Sequence, residues 1–414
     1  MKSTELGWAP NIDPSFSVRR LTQVARMGTG HTPDRSKPEY WENCTVPWVT
    51  AADLSSRSNP FEPLLDTDQK VSQVGLANSA AVVHPAGTVM LCRTASVGLI
   101  TRIGVPMATT QAFVAWTPGP ELDSRYLLYA LHAMGQEWER LAYGSTHMTI
   151  YMPDLESLRI PVPPVANQRA IADYLDSETA RIDALIEKKR RMVELVEERY
   201  QSSVDQKMAN FPPVPLKSVA KYVEGPGIMA SDFYDEGVPL VRISGVRSEV
   251  VTLDGCNFLD ATKVAKTWRH FALRLGDYLI SASATMGVVA EVGPEAVGAV
   301  PYTGLIRFRP RGNEVSMPYI KHFLRSLAFM RQIDQLKTGT AIEHYGPTHL
   351  GEVKIPLPSF GRQQELASEM DEERKKSLGM TALLQRQIEV LAERRQAVIT
   401  AAVTGALPVP GVAA

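Results

Sequence analysis

The sequence predicts an α+β protein made of two repeated mixed α/β blocks, each followed by a long α-helix. One observation is internal repetition, because Ile160-Pro161-Val162-Pro163 recurs as Ile355-Pro356-Leu357-Pro358 at an offset of 195 residues (355 − 160). The others are two long runs of helix-forming residues, and short β-rich runs broken by Gly and Pro. The order of elements is therefore block, helix, block, helix.

The same offset relates positions far from the repeated tetrapeptide. Gly144-Ser145 corresponds to Gly339-Thr340, and Gln168 corresponds to Gln363. A chain that doubles one unit usually places two similar surfaces about a pseudo-two-fold axis. We therefore expect a partner with two related half-sites.

The first half contains an N-terminal tail at 1–17, a block at 18–164 and a helix region at 165–211. Within the block, Ile100–Ile103 and Ala112–Trp116 are typical of strands, and Leu127–Tyr143 of a helix. Proline runs mark the junctions between blocks and helices, because proline stops a helix from extending backwards.

The helix region lacks Pro and Gly from Gln168 to about Met208. Leu175, Ile182 and Val196 share one heptad position, and Leu185 and Met192 share another. About forty residues at 1.5 Å each give a rod of roughly 60 Å. A third apolar position per heptad widens the apolar stripe, so the helix can contact a partner as well as the second helix. Alternatively, the two helices pack only on their own blocks.

The second half repeats this plan, with a block at 212–359, a helix at 360–405 and a tail at 406–414. Tyr278–Ile280, Val288–Val292 and Leu305–Phe308 are typical of strands, and Tyr319–Leu336 of a helix. In the last helix, the heptad pattern is kept by Leu384, Leu391 and Val398, with Ile388 beside them.

Composition limits the class of protein. Hydrophobic residues make up 44% of the 414 residues, but no stretch of 18 apolar residues occurs. We expect no secretory signal, and Cys44, Cys92 and Cys256 are too far apart for a zinc pattern or a disulfide framework. These features favour a reduced cytoplasm. Since the net charge is only −1, a DNA-binding role would need positive charge from a partner.

No catalytic pattern stands out. The chain has no GxxxxGK[ST] loop, and Gly28-Thr29-Gly30 and Gly225-Pro226-Gly227 are typical of turns. Asn59-Pro60-Phe61 and Glu352-Val353-Lys354 only partly match methyltransferase and nuclease motifs. We predict no catalytic residues, no metal and no cofactor in this chain.

Polar loops at repeat-related places are the best candidates for binding. Gln, His, Arg, Ser and Thr side chains are suitable for contacting base edges in a DNA groove, although each also occurs in turns. The candidate DNA-binding residues are Thr29, His31, Arg93, Thr94, Ser96, Thr110, Gln111, Ser145, Thr146, His147, Arg242, Ser281, Ser283, Thr285, Thr303 and Thr340.

Several segments resemble the specificity subunits of type I restriction-modification systems. They are Val46-Pro47-Trp48-Val49-Thr50-Ala51-Ala52-Asp53-Leu54, Ile160-Pro161-Val162-Pro163-Pro164 with the residues through Asp176, Thr179–Ile186, and Arg395–Gly405. The resemblance covers nearly the whole chain, including the doubled plan. Gly361-Arg362-Gln363 departs from the family's usual Glu-Gln start of the second helix.

The resemblance implies two target-recognition domains, each recognising one half of a split, asymmetric DNA sequence. It implies that the two helices pack antiparallel as a coiled-coil rod that sets the spacer between the half-sites. It also implies assembly with two modification subunits that use S-adenosylmethionine to methylate adenine, and with restriction subunits that use ATP and Mg²⁺. The apolar helix residues predicted to bind these partners are Ile182, Leu185, Met192, Val196, Leu384, Ile388, Leu391 and Val398.

Two other classes stay open at this point. One is an enzyme that acts alone, either a DNA methyltransferase or a nuclease. The other is a purely structural coiled-coil adaptor.

Overall fold

A computed structural model describes residues 6–9, 11–144, 147–283, 287–336 and 344–412. The chain forms two compact units: unit 1 comprises Met1–Arg190 with Arg386–Ala414, and unit 2 comprises Arg191–Gln385. Each unit therefore contains one block and parts of both long helices. Within the described residues, no helix combines the length and apolar character needed to span a bilayer.

The elements of the first block and its helix follow one another in this order: β1 (Ser17–Arg20), α1 (Leu21–Val24), β2 (Ala25–Thr29), β3 (Val46–Val49), α2 (Ala51–Ser55), β4 (Lys70–Val71), α3 (Gln73–Ala77), β5 (Val89–Cys92), β6 (Ile100–Arg102), β7 (Ala108–Thr109), β8 (Phe113–Pro118), α4 (Ser124–Ala133), α5 (Gly135–Leu141), α6 (Met152–Ser157), β9 (Arg159–Val162) and α7 (Val165–Met208).

The second half contains β10 (Pro213–Pro215), α8 (Leu216–Val219), β11 (Ala220–Glu224), β12 (Val238–Val241), β13 (Asn257–Leu259), α9 (Ala261–Lys263), β14 (Tyr278–Ser281), β15 (Val289–Glu291), β16 (Val300–Pro301), β17 (Leu305–Pro310), α10 (Met317–Leu324), α11 (Leu327–Leu336), α12 (Pro347–Leu350), β18 (Lys354–Pro356) and α13 (Phe360–Thr404). Short 3₁₀ turns lie at Pro38–Trp41, Ala230–Asp232, Ile243–Val246, Arg269–Phe271 and Pro294–Ala296, and a π turn at Val264–Trp268.

The two blocks share one sheet topology. In unit 1, an antiparallel sheet has the order β2-β8-β5-β6, a second has the order β4-β3-β7, and β1 pairs with β9. In unit 2 the corresponding orders are β11-β17-β14-β15, β13-β12-β16 and β10-β18. In each three-stranded sheet the middle strand is antiparallel to one neighbour and parallel to the other. The predicted mixed α/β repeat is confirmed.

The predicted elements are found with shifted bounds. The predicted helix Leu127–Tyr143 is split into α4 and α5 at Met134, and Tyr319–Leu336 is split into α10 and α11 at Arg325-Ser326. The long helices span 44 and 45 residues, and Gly361 lies in the first turn of α13 without preventing it.

Each block packs on the beginning of one long helix and the end of the other. In unit 1, Trp116 shares a core with Ile171 and Leu175 of α7 and with Ile399 and Val403 of α13. In unit 2, the corresponding core joins Phe308 to Tyr200, Val204 and Met208 of α7 and to Leu366 and Met370 of α13. Neither block therefore completes its core without both helices.

A buried glutamine fixes each block to the helix that follows it. The Gln168 Nε2 donates to the carbonyls of Pro163 (2.8 Å) and Glu121 (2.9 Å), and its Oε1 accepts from the Asp123 N–H (2.8 Å). Both Gln168 and Gln363 are almost completely buried. One side chain thus satisfies three backbone groups at a junction that is buried or part-buried.

The repeat preserves this arrangement. The Gln363 Nε2 donates to Pro358 (3.0 Å) and Glu314 (3.4 Å), and its Oε1 accepts from the Ser316 N–H (2.9 Å). Likewise, the hydroxyl groups of Tyr126 and Tyr319 donate to the carbonyls of Pro161 (2.9 Å) and Pro356 (2.8 Å).

Repeat-related aspartates form a second contact between block and helix. The Tyr129 hydroxyl donates to Asp176 (2.7 Å) in unit 1, whereas His322 and Lys321 contact Asp371 in unit 2 (3.0 and 2.8 Å). Burial alone would raise the pKa of Asp371, but the hydrogen bonds from His322 and Lys321 outweigh it and lower the pKa to about 2. Asp371 is therefore ionised throughout the physiological range.

We predict that Gln363→Ala lowers the free energy of unfolding of unit 2 by about 2–4 kcal/mol, because it leaves three backbone groups at a buried or part-buried junction without partners. Gln168→Ala should have a comparable effect on unit 1. Denaturant titration followed by circular dichroism measures the change. The exposed Gln385→Ala is the matched control and should change stability by less than about 0.5 kcal/mol. If all three variants had the same free energy of unfolding, the glutamine contacts would contribute nothing to folding stability.

Candidate nucleic-acid interface

The polar loops of unit 1 meet at one end of its four-stranded sheet. β2 and β5 end there at Thr29 and Cys92, and β8 and β6 begin there at Phe113 and Ile100. The pairing of Thr29 with Val114 and of Cys92 with Phe113 brings these strand ends together. Because neighbouring strands run antiparallel, loops distant in sequence share one edge.

Hydrogen bonds connect the loops at this edge. The Thr32 hydroxyl donates to Gln111 Oε1 (2.7 Å), and the His31 N–H donates to the Thr109 carbonyl (3.0 Å). The Arg93 N–H donates to the Ala112 carbonyl (2.8 Å). The loops after β2 and β5 are thereby joined to the loop before β8.

A further segment, residues 147–149, lies against the same edge. Thr94 pairs with Thr149, and the Ala95 N–H donates to the Met148 carbonyl (2.9 Å). The Arg93 guanidinium donates to the Ile150 carbonyl (3.3 Å), so part of its donor capacity is used within the protein. His147 is exposed in this loop, whereas Ser145 and Thr146 lie outside the described residues.

The structure therefore brings together the predicted residues of unit 1 that it describes. The side chains of Thr29, His31, Ser96, Gln111 and His147 are exposed, and those of Arg93, Thr94 and Thr110 are half-buried. The Thr29 hydroxyl donates to the Phe113 carbonyl (2.9 Å). The surface offers neutral donors and acceptors more than formal charge.

Unit 2 places its loops at the corresponding sheet end, where β11 ends at Glu224 and β17 begins at Leu305. The Thr303 hydroxyl donates to the Pro226 carbonyl (2.7 Å), and the Ala282 N–H donates to the Gly304 carbonyl (2.8 Å). Ser283 pairs with His344, which brings a further loop to the edge. Thr285 and Thr340 lie outside the described residues.

Arg242 lies at the same end, directly after β12. Its guanidinium carbon is 4.5 Å from the centre of the Tyr302 ring, and its Nη1 donates to Asn257 Oδ1 (2.8 Å). Stacking and one hydrogen bond hold the guanidinium in place, while the rest of its planar edge is available for a base or a phosphate.

The prediction for Ser281 is corrected by the structure. Its side chain is completely buried, its hydroxyl donates to the Ser283 carbonyl (2.8 Å), and its own carbonyl accepts from the Tyr345 hydroxyl. Ser281 belongs to the support of the loop, because no part of its side chain reaches the surface.

Glycines allow the loops to approach the sheet. A Cβ at Gly30 would lie 2.0 Å from the Thr109 carbonyl oxygen, and one at Gly225 would lie 2.2 Å from the Pro301 carbonyl oxygen. Any other residue would displace the loop. The prediction that the two GxG segments are turns is wrong: Gly28 and Thr29 are the last residues of β2, and residues 225–227 follow β11 as an irregular segment.

Sequence reasoning missed several residues at these edges, namely Thr32, Glu224, Asn257, Tyr302 and His344. Glu224 could have been identified from the repeat, because the offset of 195 residues makes it the equivalent of the candidate residue Thr29 (224 − 29). The others became visible only through contacts between distant loops.

The described residues contain no group of three or more His, Cys, Asp or Glu side chains that could hold a metal ion. At the unit 1 edge, burial raises the pKa of the Cys92 thiol, which keeps it protonated and unreactive. The arrangement is suited to binding through hydrogen bonds.

The apolar helix residues divide into three groups. Leu185 and Met192 are 40% and 46% exposed, and Val196, Ile388, Leu391 and Val398 are half-buried. Ile182 and Leu384 are each only 3% exposed, so their side chains are covered within the chain and the prediction that they bind a partner is corrected. Further exposed apolar residues, which the heptad pattern did not indicate, are Leu195, Leu378, Met380, Leu383 and Val390.

A family model described as the type I restriction modification DNA specificity domain matches the chain twice, at residues 15–195 and 208–389. The two matches correspond to the two repeats and together cover most of the chain.

Relatives share this description. The MjaIX specificity subunit of Methanocaldococcus jannaschii is 25% identical over 198 residues, 47% of this chain and 44% of that protein. The EcoR124I/EcoR124II specificity subunit of Escherichia coli is 24% identical over 190 residues, 44% of this chain and 46% of that protein. The aligned part spans about half the length of these two relatives. The MjaVIII specificity subunit of M. jannaschii is 22% identical over 311 residues, 70% of this chain and 71% of that protein.

The fold is also found among solved structures. A chain from a structure described as the structural basis underlying complex assembly and conformational transition of the type I R-M system has a TM-score of 0.68. The match covers 96% of this chain and 99% of that chain at 17% sequence identity.

Proposed function

The chain belongs to the family of type I restriction-modification specificity subunits, and from this premise we propose that it selects the DNA sequence on which such a complex acts. The target would be split and asymmetric, with one half-site for each block. The observation that supports this proposal best is the repeated sheet end, where the same loops carry different polar side chains in units 1 and 2.

The proposal assigns catalysis to partner subunits. Two modification subunits would carry S-adenosylmethionine and methylate adenine, and restriction subunits would use ATP and Mg²⁺. The net charge of −1 supports this division, because the chain alone brings little positive charge to the phosphate backbone. The working location would be the cytoplasm, where the DNA lies.

The first test compares three samples on the same DNA: the purified chain, a modification subunit alone, and their assembled complex. We expect methyl transfer to adenine in a split motif only with the assembled complex. Mapping methylated adenines in the DNA measures both activity and motif.

Other outcomes would support the competing classes. Methyl transfer or cleavage by the chain alone would make it an enzyme in its own right. Assembly without any preference for sequence would make it a structural adaptor.

The two blocks are proposed to recognise different half-sites. Gln111→Leu in unit 1 should relax discrimination in one half of the methylated motif, and Thr303→Val in unit 2 in the other half. Loss of a base-edge contact costs about 1–3 kcal/mol. Gln23→Leu is the matched control, because Gln23 is exposed beyond the opposite end of β2. Relaxation of both halves by either single variant would contradict independent recognition.

We further propose that α7 and α13 pack antiparallel as a coiled-coil rod. Support comes from contacts inside each unit: Asp183 contacts Arg395 and Lys189 contacts Gln387 in unit 1. In unit 2, Glu197 contacts Arg374 and Lys207 contacts Glu369. Within these contacts, later residues of α7 lie against earlier residues of α13, as expected for antiparallel helices.

The exposed apolar residues of this rod are proposed to hold the modification subunits. Leu185→Glu together with Met192→Glu should leave the chain folded, because both positions are already exposed, but should prevent assembly on a sizing column. An unpaired carboxylate buried in an interface costs several kcal/mol. The exposed Lys188→Glu is the control and should leave assembly intact. Assembly by the double variant would place the interface elsewhere.

Finally, the helix pair is proposed to set the spacer between half-sites. Inserting four residues after Glu187 adds about 6 Å of helix. Since DNA rises about 3.4 Å per base pair, the spacer should lengthen by one or two base pairs while both half-sites stay the same. The same insertion after Gly312, in an exposed loop, is the control. An unchanged spacer in fully active complexes would make the helices simple connectors.

A further inference from the structure

A carboxylate stands at the polar edge of unit 2, where unit 1 has a hydroxyl. Glu224 is the last residue of β11, and Thr29 is the last residue of β2. We propose that Glu224 is a specificity-determining residue that accepts a hydrogen bond from an exocyclic amino group, cytosine N4 or adenine N6, in the half-site bound by unit 2. This inference rests on the proposed function and adds the chemistry of one recognised base.

Glu224 is held in place through one of its two oxygens. The Gly304 N–H donates to Oε1 (3.0 Å), and His344 Nε2 lies 3.2 Å from the same oxygen. In the described part of the chain, the hydrogen bonds to this carboxylate go to Oε1. Oε2 is left as an acceptor for a group that approaches from outside.

The surroundings leave a path to that acceptor. The Glu224 side chain is 20% exposed, and Gly346 lies beside Oε2, where even an added Cβ would remain 3.7 Å away. Thr303, which contacts the Pro226 carbonyl, is exposed on the adjacent loop. The carboxylate is thus fixed in direction, partly desolvated and reachable at the polar edge.

The chemistry of a carboxylate narrows what it can bind. An ionised carboxylate only accepts hydrogen bonds, and phosphate oxygens repel it, so a contact to the DNA backbone is excluded. In the major groove, cytosine N4 and adenine N6 are donors, whereas guanine O6 and thymine O4 are acceptors. Glu224 should therefore favour C or A and disfavour G or T on the strand it faces.

Unit 1 differs at the equivalent position. The Thr29 hydroxyl donates its one proton to the Phe113 carbonyl, so its oxygen can only accept further hydrogen bonds, but it is neutral and a weaker acceptor than a carboxylate. The difference between these two repeat-related residues predicts that the amino-group preference is stronger in the half-site bound by unit 2.

The experiment uses the full chain assembled with modification subunits and a pool of duplexes randomised across the target. After the wild-type motif is found, duplexes with each of the four bases are compared at every position of the half-site that unit 2 binds. Glu224→Gln keeps the size of the side chain and an oxygen for Gly304. We expect discrimination at one base pair to fall by roughly five- to hundredfold, with the other half-site unchanged. If the wild type prefers C at that position, the recognised amino group is cytosine N4. If it prefers A, the recognised group is adenine N6.

Glu295→Gln is the matched control, because Glu295 is exposed beyond the opposite end of β15, and it should leave discrimination at that base pair unchanged. Uniformly weaker binding of all duplexes by Glu224→Gln, with preferences kept, would show that Glu224 only supports its loop and would overturn the inference.

A second measurement isolates the amino group itself. In the modified duplexes hydrogen replaces that amino group, so that purine stands for adenine or pyrimidin-2-one for cytosine. The wild-type complex should bind these duplexes more weakly than the unmodified ones, whereas the Glu224→Gln complex should bind both with similar affinity. Equal binding of both duplexes by the wild type would also overturn the inference.

If Glu224→Gln does not assemble, Glu224→Asp keeps the charge but shortens the side chain, and it should reduce discrimination at the same base pair. A wild-type complex without any selected motif would instead refute the proposed function itself.

Discussion

The amide groups of Gln168 and Gln363 are the contacts on which the rest of this structure depends. Each one satisfies a carbonyl of the proline turn, a carbonyl of the segment before α4 or α10, and a backbone N–H at the start of that helix. Those groups are at least partly shielded from water, so leaving them unpaired would be costly. The amide therefore sets where each long helix leaves its block.

The shared cores follow from that geometry. Once a block is fixed on the first turns of its own helix, its remaining apolar surface is covered by the last turns of the other helix, as Val403 does in unit 1 and Met208 in unit 2. Neither half of the chain buries its core alone. A doubled sequence is thus a structural requirement as well as a way to present two recognition surfaces.

The polar edges combine rigid support with variable contacts. Gly30 and Gly225 let the loops lie directly on the sheet, and buried groups such as Ser281 hold the loops from below. The side chains above them differ between units, with Gln111 and His31 in one and Thr303, Arg242 and Glu224 in the other. A near-neutral chain with such edges is suited to discriminating among sequences through hydrogen bonds more than to binding phosphates through charge.

The sequence by itself determined the repeat, the block–helix order and the two long helices, because periodicity and the absence of Pro and Gly act locally along the chain. It also identified polar loops that gather at the sheet ends, because these loops follow or precede strand-like runs in both copies. Tertiary structure alone decided the splits at Met134 and at Arg325-Ser326, which lie inside segments that the residue pattern predicts as single helices. It also decided which predicted residues are available: the burial of Ser281 and Ile182 depends on neighbours distant in sequence. A heptad pattern locates the apolar stripe of a helix, but it does not show which residues of that stripe the folded chain buries. That burial depends on contacts between segments distant in sequence, which no local pattern contains.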